Sequence, residues 1–189
     1  MFHIGLIGHG PEELGIDFPD SLEGDKLKKD LMEFIRNKAE EFGTVNCHSN
    51  MDLGASTLWS SAITEMKLLI PEQLVFTADL HMETPFVFFE DECDVHSWHY
   101  DIAHVDTVNV HSQIDKSFGN TTAPVGTYNT KEVEDAINKR NKNMIDACDC
   151  ILAVHDGSTG IINDCIRYAR RLRKEVVVIP PTLYIEKRG

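Results

Sequence analysis

The stretch Cys150-Ile-Leu-Ala-Val-His-Asp-Gly-Ser-Thr-Gly-Ile-Ile-Asn-Asp-Cys-Ile-Arg-Tyr-Ala169 decides how the rest of the chain is interpreted. Its apolar beginning predicts a buried strand, and the turn His155 to Gly160 follows. Apolar residues then recur at helical spacing, namely Ile162, Cys165, Ile166, Ala169 and Leu172. A strand that enters a helix through a glycine-containing turn leaves the first amide N–H groups of that helix unpaired. The stretch therefore predicts an anion-binding site.

The side chains of this turn suit a phosphate and a sugar. Gly157 and Gly160 allow a ligand to approach the backbone closely, and the hydroxyls of Ser158 and Thr159 can donate hydrogen bonds. Asp156 can accept a hydrogen bond from a sugar hydroxyl. The same residue types also suit an ordinary turn that caps the helix, so both interpretations stay open at this point.

Strand and helix patterns alternate along the remainder of the chain. Strands are predicted at about 2–7, 44–47, 74–78, 105–110, 150–154 and 175–179, with helices between most of them. This alternation predicts an α/β fold of the Rossmann-like, doubly wound type, with a mostly parallel sheet of about six strands and helices on both faces. One domain is expected over residues 1–189, with an irregular excursion at about 82–104 and a long loop at about 112–128.

The amino-acid composition gives expectations about binding partners and about the cellular compartment of the protein. The net charge of −13, from 31 acidic and 18 basic residues, would repel a phosphate backbone, so no nucleic-acid partner is expected. No apolar run is long enough to span a bilayer and no signal-peptide pattern occurs, which predicts no membrane partner and a cytoplasmic location. The five cysteines lie within predicted strands and helices, as buried thiols in a reducing compartment do.

In a doubly wound sheet the ligand crevice lies over the carboxyl ends of the strands. Three loops are expected to meet there, at Gly8 to Gly15, His48 to Gly54 and Asp156 to Gly160. All three combine glycine with short polar residues, as a phosphate and ribose site requires, although turn chemistry favours the same residues. Arg140 falls in the apolar stripe of a helix predicted at about 129–147, with Asn141 beside it. Arg140 either reaches solvent, pairs with an acid or contacts a ligand.

The segment His96-Ser-Trp-His99, with Asp101 and His104, carries residue types that can bind a metal. No matching set of cysteines and histidines and no His-Glu-x-x-His helix accompanies these residues. Surface histidines are the favoured interpretation, and neither a metal nor a cofactor is predicted.

Several short motifs follow one another along nearly the whole chain. They are Ile7-Gly-His-Gly-Pro11 with Leu14-Gly15, Asp52-Leu-Gly54, Pro85-Phe86, Trp98, Lys139-Arg-Asn-Lys-Asn-Met144, Asp149, Ala153-Val-His-Asp-Gly-Ser158, Gly160 and Tyr168-Ala169. In this order the chain resembles the YpsA-like branch of the SLOG superfamily. These Rossmann-like proteins are related to the nucleotide-binding domain of the DNA-processing protein DprA and to cytokinin-activating phosphoribohydrolases. The resemblance implies a nucleotide or a nucleotide-derived ligand such as a relative of NAD or ADP-ribose, and does not by itself imply catalysis.

The chain departs from that family at three positions. Gly10 replaces an arginine of the first loop, Ser56 replaces an acid, and Ile161-Ile162 replaces a Gly-Thr pair. Because serine carries no negative charge, glycosidic chemistry would need Asp52 or Asp156 as its catalyst. The candidate ligand-binding residues are Gly8, His9, Gly10, Leu14, Ser49, Asn50, Asp52, Gly54, Ser56, Arg140, Asn141, Asp156, Gly157, Ser158, Thr159 and Gly160.

Two functions follow from these observations. The altered loops favour a protein that binds a nucleotide-derived molecule without changing it, as a sensor or a sequestering protein, and the resemblance adds immune signals of the cyclic ADP-ribose type as ligands. The alternative is a hydrolase or transferase that acts on the N-glycosidic bond of a nucleotide. A homo-oligomer is also expected, because the excursion would otherwise expose Phe88 and Phe89.

Overall fold

The computed structural model describes residues 1–14, 21–83, 89, 91–112 and 130–184. Within this part of the chain, six parallel strands form one sheet in the order β4-β3-β2-β1-β5-β6. The strands are β1 (Phe2–Gly8), β2 (Val45–Ser49), β3 (Leu74–Leu80), β4 (Thr107–Val110), β5 (Cys150–Val154) and β6 (Glu175–Ile179). The predicted Rossmann-like α/β fold is confirmed.

Helices connect the strands. They are α1 (Pro11–Leu14), α2 (Leu22–Phe42), α3 (Ala55–Leu69), α4 (Glu92–Ile102), α5 (Thr130–Ala147) and α6 (Ile161–Arg171). The start of α2 is fixed by Ser21, whose Oγ accepts a hydrogen bond from the N–H of Gly24 at 3.0 Å. None of the helices in the described ranges is long and apolar enough to cross a bilayer.

Helix α4 corrects the prediction of an irregular excursion at about 82–104. It begins after Asp91, whose carboxylate accepts from the N–H of Cys93 at 2.7 Å. Only Trp98 and Asp101 are fully buried in this helix, and its apolar stripe is limited to Val95, Trp98 and Ile102, which is a weak signal for a helix. Phe89 packs against the core, which removes part of the argument for an oligomer, and Phe88 lies outside the described residues. The predicted loop at about 112–128 also lies outside them, except for its first residue.

The alternating side chains of β5 separate two apolar cores. Leu152 and Val154 belong to the larger core, which includes residues of α2, α3 and α4. Ile151 and Ala153 face the other way and pack with residues of α5 and α6. Because both faces of the sheet are covered, every residue of β5 is buried.

The strand order places a topological switch point beside β1. The chain runs from β1 through β2 and β3 to β4 on one side, and then crosses back to β5 on the other side. Loops that leave neighbouring strands in opposite directions open a crevice at the carboxyl edge of the sheet. The loops after β1 and β5 therefore flank the region where a ligand is expected.

Asp101 gives the stability of the fold a predictable pH dependence. It is buried in α4 and accepts a hydrogen bond from Thr64 Oγ1 at 3.0 Å, and its burial raises the pKa to about 6. Because this pKa exceeds the value in the unfolded chain, the folded state holds an extra proton between about pH 4 and 6. The contribution of Asp101 to the free energy of unfolding therefore falls as the pH rises through 6, by up to about 3 kcal/mol.

We expect Asp101→Asn to be more stable than the wild type at pH 7.5 and no more stable at pH 4.5. Asparagine can still accept the hydrogen bond from Thr64, but it carries no charge that burial would penalise. Urea denaturation at the two pH values measures the difference. A variant that is less stable than the wild type at pH 7.5 would contradict this explanation.

Candidate functional site

A cavity of about 300 Å³ lies at the carboxyl edge of the sheet. It is lined by residues that follow β1, β2 and β5 and by residues of α5 and α6, namely Gly8, His9, Gly10, Glu13, Asn50, Asp52, Ile137, Arg140, Asn141, His155 and Ser158 to Asn163. Residues of the three predicted loops thus share one cavity. That they bind a ligand stays a prediction.

The N-terminus of α6 opens into this cavity. Gly160 is its N-cap residue, with a φ of +139°, and no side chain caps the helix there. The first intrahelical bond runs from the N–H of Asp164 to Gly160 O at 3.0 Å. Helix geometry therefore leaves the amides of residues 161–163 without an acceptor inside the helix, and the helix dipole places partial positive charge at the same point.

Asp156 organises the turn that precedes α6. Its Oδ1 accepts from the N–H of Ser158 at 2.9 Å and lies 2.9 Å from His9 Nε2. Hydrogen bonds from the hydroxyl and the N–H of Ser158 hold the pKa of Asp156 far below its usual value, and His9 adds to this effect. Asp156 is therefore an acceptor at neutral pH, and it cannot serve as a general acid. Gly157 follows with a φ of +94°, which favours glycine.

Arg140 is fully buried at the wall of the cavity. Its Nη1 and Nη2 donate to the two carboxylate oxygens of Asp52, each at 2.7 Å, and its Nε and Nη2 donate to Asn141 Oδ1. The second hydrogen of Nη1 is shared between Asn50 O at 3.4 Å and His81 Nδ1 at 3.2 Å. Burial lowers the pKa of His81 to about 4, so its neutral ring can accept this bond.

These contacts show which of the three interpretations of Arg140 applies. The guanidinium pairs with an acid, and its five N–H donors are all engaged within the protein. Arg140 is therefore a positioning residue that holds Asp52 and Asn141 at the cavity wall. Because a guanidinium N–H occupies each oxygen of Asp52, this side chain is poorly placed to exchange protons with a ligand.

Six of the candidate residues do not line the cavity, namely Leu14, Ser49, Gly54, Ser56, Asp156 and Gly157. Leu14 and Ser56 are buried, and Ser49 Oγ lies 2.8 Å from Ser60 Oγ in the interior. Their positions next to predicted loops did not fix the direction of their side chains. Ser56, at the family's acidic position, is only 2% exposed, and it offers the cavity neither charge nor hydroxyl.

Gly54 holds the loop after β1 against the start of α3. A Cβ atom at this position would lie 2.5 Å from His9 O and 2.8 Å from the carbonyl carbon of Gly10. The N–H of Ala55 donates to His9 O at 3.1 Å across the same contact. Gly54 also has a φ of +88°. Only glycine satisfies both the close approach and the backbone conformation.

We expect Gly54→Ala to lower the free energy of unfolding by roughly 3–5 kcal/mol, from backbone strain and steric overlap together. Gly43→Ala is the matched control, because Gly43 has a similar φ of +82° but a Cβ added there would meet no atom within 4 Å. The control should lose only about 1–2 kcal/mol, from the backbone conformation alone. Equal losses in chemical denaturation would show that the packing of Gly54 against His9 and Gly10 contributes nothing.

Sequence reasoning missed a buried polar network and six cavity-lining residues, namely Glu13, Ile137, His155, Ile161, Ile162 and Asn163. Asp79 accepts from His48 Nδ1 at 2.7 Å, from His111 Nε2 at 2.8 Å and from Asn109 Nδ2 at 3.1 Å. Burial raises the pKa of Asp79, but these hydrogen bonds outweigh the effect of burial and hold the pKa below its usual value. Among the missed cavity residues, His155 directly follows β5, and that position was the available signal.

Comparisons with known proteins find a solved structure with a similar fold. No family model matches the chain, and no similar protein is found among curated proteins. A solved structure of DNA processing protein A from Helicobacter pylori, which concerns its single-stranded DNA binding mode, is similar with a TM-score of 0.56 and 14% sequence identity. The match covers 95% of this chain and 65% of that protein, so the chain spans less than two-thirds of its relative.

The chain shares the Rossmann-like fold of DNA processing protein A. The YpsA-like branch is not distinguished by this comparison and stays a prediction. The same comparison contradicts the expectation of no nucleic-acid partner, because a protein of this fold binds single-stranded DNA. That expectation is withdrawn.

The physical reason for this correction is that net charge describes the whole surface and not any one part of it. A second cavity, of about 590 Å³, lies between α5 and α6. Basic side chains line it, namely Lys142, Arg167, Arg170 and Arg171, together with the aromatic ring of Tyr168. A chain of net charge −13 thus still presents a basic surface.

Proposed function

We propose that the cavity at the carboxyl edge of the sheet binds a nucleotide or a nucleotide-derived molecule through a phosphate group, as a sensor or a sequestering protein. The observation that carries this proposal is the uncapped N-terminus of α6, which lines the cavity. Its free amides, its dipole and the hydroxyls of Ser158 and Thr159 together form the kind of site that binds phosphate in Rossmann-like proteins.

The rest of the cavity suits a sugar. Carboxylates accept hydrogen bonds from ribose hydroxyls; Asp52 lines the cavity and is 35% exposed, and Asp156, in the turn before α6, is 40% exposed. A volume of about 300 Å³ lies at the lower end of the range for small-molecule sites. One nucleotide moiety fits such a volume, and a larger ligand would extend through the mouth of the cavity.

Binding without turnover is favoured by the state of the acidic residues. Protonation of a leaving base requires a carboxyl group that still holds its proton near neutral pH. The pKa of Asp156 is instead far below its usual value, and both oxygens of Asp52 accept from Arg140. Ser56 is buried away from the cavity. None of the three is a suitable general acid.

The resemblance to the SLOG superfamily narrows the ligand class to relatives of NAD and ADP-ribose, including immune signals of the cyclic ADP-ribose type. Single-stranded DNA, which the structural relative binds, is a further ligand to test.

The experiment is an incubation of the purified protein with a panel of nucleotides, NAD, ADP-ribose, its cyclic isomers and short single-stranded DNA. The protein is then separated from free ligand and denatured, and the released molecules are analysed by mass spectrometry. We expect an intact nucleotide-derived molecule to be recovered, in the same amount at early and late times. Accumulation of free base or ribose phosphate would instead support the hydrolase. Recovery of none of these molecules would refute the proposal.

A further inference from the structure

Three side-chain atoms converge where β1 and β5 end. His9 Nε2 lies 3.1 Å from His155 Nδ1 and 2.9 Å from Asp156 Oδ1, and His155 Nδ1 lies 3.8 Å from the same oxygen. Gly8 and Val154 are paired in the sheet, so the two histidines directly follow a pair of neighbouring positions. Their backbones continue the ladder, since His9 N–H donates to Val154 O and His155 N–H donates to Ile179 O. The sheet thus fixes the backbone of both histidines.

No placement of the ring hydrogen on neutral His9 makes every contact in this cluster favourable. His9 Nε2 also lies 3.3 Å from the backbone N–H of Asp156. A hydrogen on Nε2 would suit the carboxylate but oppose that backbone hydrogen. A bare Nε2 would accept from the backbone but direct its lone pair at the carboxylate 2.9 Å away. Either neutral form of His9 therefore leaves one repulsive contact. A cation placed among the three ligand atoms would remove the repulsion between His9 Nε2 and Asp156 Oδ1.

We propose that His9, His155 and Asp156 bind a divalent metal ion of the Zn²⁺ type. Zn²⁺ binds imidazole and carboxylate at about 2.0–2.2 Å, so tetrahedral ligand atoms lie about 3.3–3.5 Å from one another. The three observed separations of 2.9, 3.1 and 3.8 Å bracket this spacing. Two nitrogens and one oxygen suit Zn²⁺ better than Mg²⁺ or Ca²⁺, which prefer oxygen ligands.

The surroundings also fit a metal site with an open position. His9 and His155 are 7% and 5% exposed, whereas Asp156 faces solvent. His155 Nε2 has no hydrogen-bond partner among the described residues, so the polar contacts of this ring are made through Nδ1, towards His9 and Asp156. Three protein ligands leave a fourth position for water or a ligand oxygen. Both histidines line the cavity into which the N-terminus of α6 opens. The fourth coordination position would therefore lie beside the amides that we propose bind phosphate.

Metal binding does not require the proposed nucleotide, so the two proposals can fail separately. Protein stripped with a chelator is titrated with Zn²⁺ by calorimetry and with Co²⁺ by visible absorption, without nucleotide. We expect one ion per chain and the absorption bands of four-coordinate Co²⁺. His9→Gln and His155→Gln should each weaken binding at least about 100-fold, because losing even a residue that only orients a ligand costs 10–100-fold.

The matched control is the triple variant Cys93→Ser/His96→Gln/His99→Gln, which removes exposed metal-binding side chains from α4. It should bind Zn²⁺ as the wild type does. If circular dichroism shows that a histidine variant is unfolded, Asp156→Asn at the exposed corner replaces it, with a loss of at least about 10-fold expected. The proposal is overturned if the wild type shows no saturable binding. It is also overturned if the triple variant loses the binding that the histidine variants or Asp156→Asn retain.

Discussion

Replacing Arg140 by Met is expected to lower the free energy of unfolding by about 3 kcal/mol. Breaking a buried ion pair from one side typically costs about 3–5 kcal/mol, because the remaining charge loses its partner. The lower end applies here, since the side chain of Asp52 is 35% exposed and water can reach its charge. The substitution also removes both hydrogen bonds to Asn141 Oδ1.

The matched control is Arg167→Met on the surface of α6. Arg167 Nη1 lies 3.9 Å from Asp164 Oδ1, and both side chains are more than 70% exposed. Such a pair contributes little, so the control should change stability by less than about 0.5 kcal/mol. Adding Asp52→Asn to Arg140→Met removes the unpaired charge and should recover part of the loss. Urea denaturation measures all three variants, and equal stability of Arg140→Met and Arg167→Met would refute the role given to Arg140.

Asn163→Asp is expected to weaken binding of a phosphate-containing ligand by roughly 30- to 150-fold. Asn163 lies in the first turn of α6 and lines the cavity. A carboxylate there stands several ångströms from the proposed phosphate, which costs about 2–3 kcal/mol at an effective dielectric constant near 20. The same charge interacts favourably with the helix dipole, so the free protein should gain about 0.3–1 kcal/mol of stability. Affinity and stability should therefore change in opposite directions.

The control for this change is Asn37→Asp, an exposed position in the middle of α2. It alters the net charge of the chain by the same amount without adding charge to the cavity. Calorimetric titration should give a wild-type dissociation constant for Asn37→Asp. A similar loss of affinity in both variants would attribute the effect to net charge and not to the N-terminus of α6.

How much of the structure can be predicted from the sequence depends on how far apart in the sequence the interacting residues lie. Strand β5, the glycine turn and α6 follow from local signals, a continuous apolar run and then a helical stripe. Helix α4 carries a weaker signal, because only Val95, Trp98 and Ile102 form an apolar stripe in it and Trp98 alone of these is fully buried. Its packing against the core depends on contacts that no short window of sequence contains.

The candidate site shows the same division. That the chain would gather three loops on one edge followed from the order of the elements. The partner of Arg140 did not, because Asp52 lies 88 residues away in the sequence. His9 and His155 are 146 residues apart, so no spacing in the sequence joins them as a metal motif does. Side-chain direction was equally inaccessible for Ser49, which ends β2 and points into the interior.

The most direct test of the central claim is to follow the backbone amides of Ile161, Ile162 and Asn163 by nitrogen-15 NMR. The nucleotide that the protein retains most tightly is the titrant. We expect these three amide protons to move downfield and to saturate together with binding, as they become hydrogen-bonded to phosphate. The amide signals of Arg167 and Arg171, which line the cavity between α5 and α6, should keep their chemical shifts. The opposite result, with shifts in that cavity and none at the start of α6, would contradict the account.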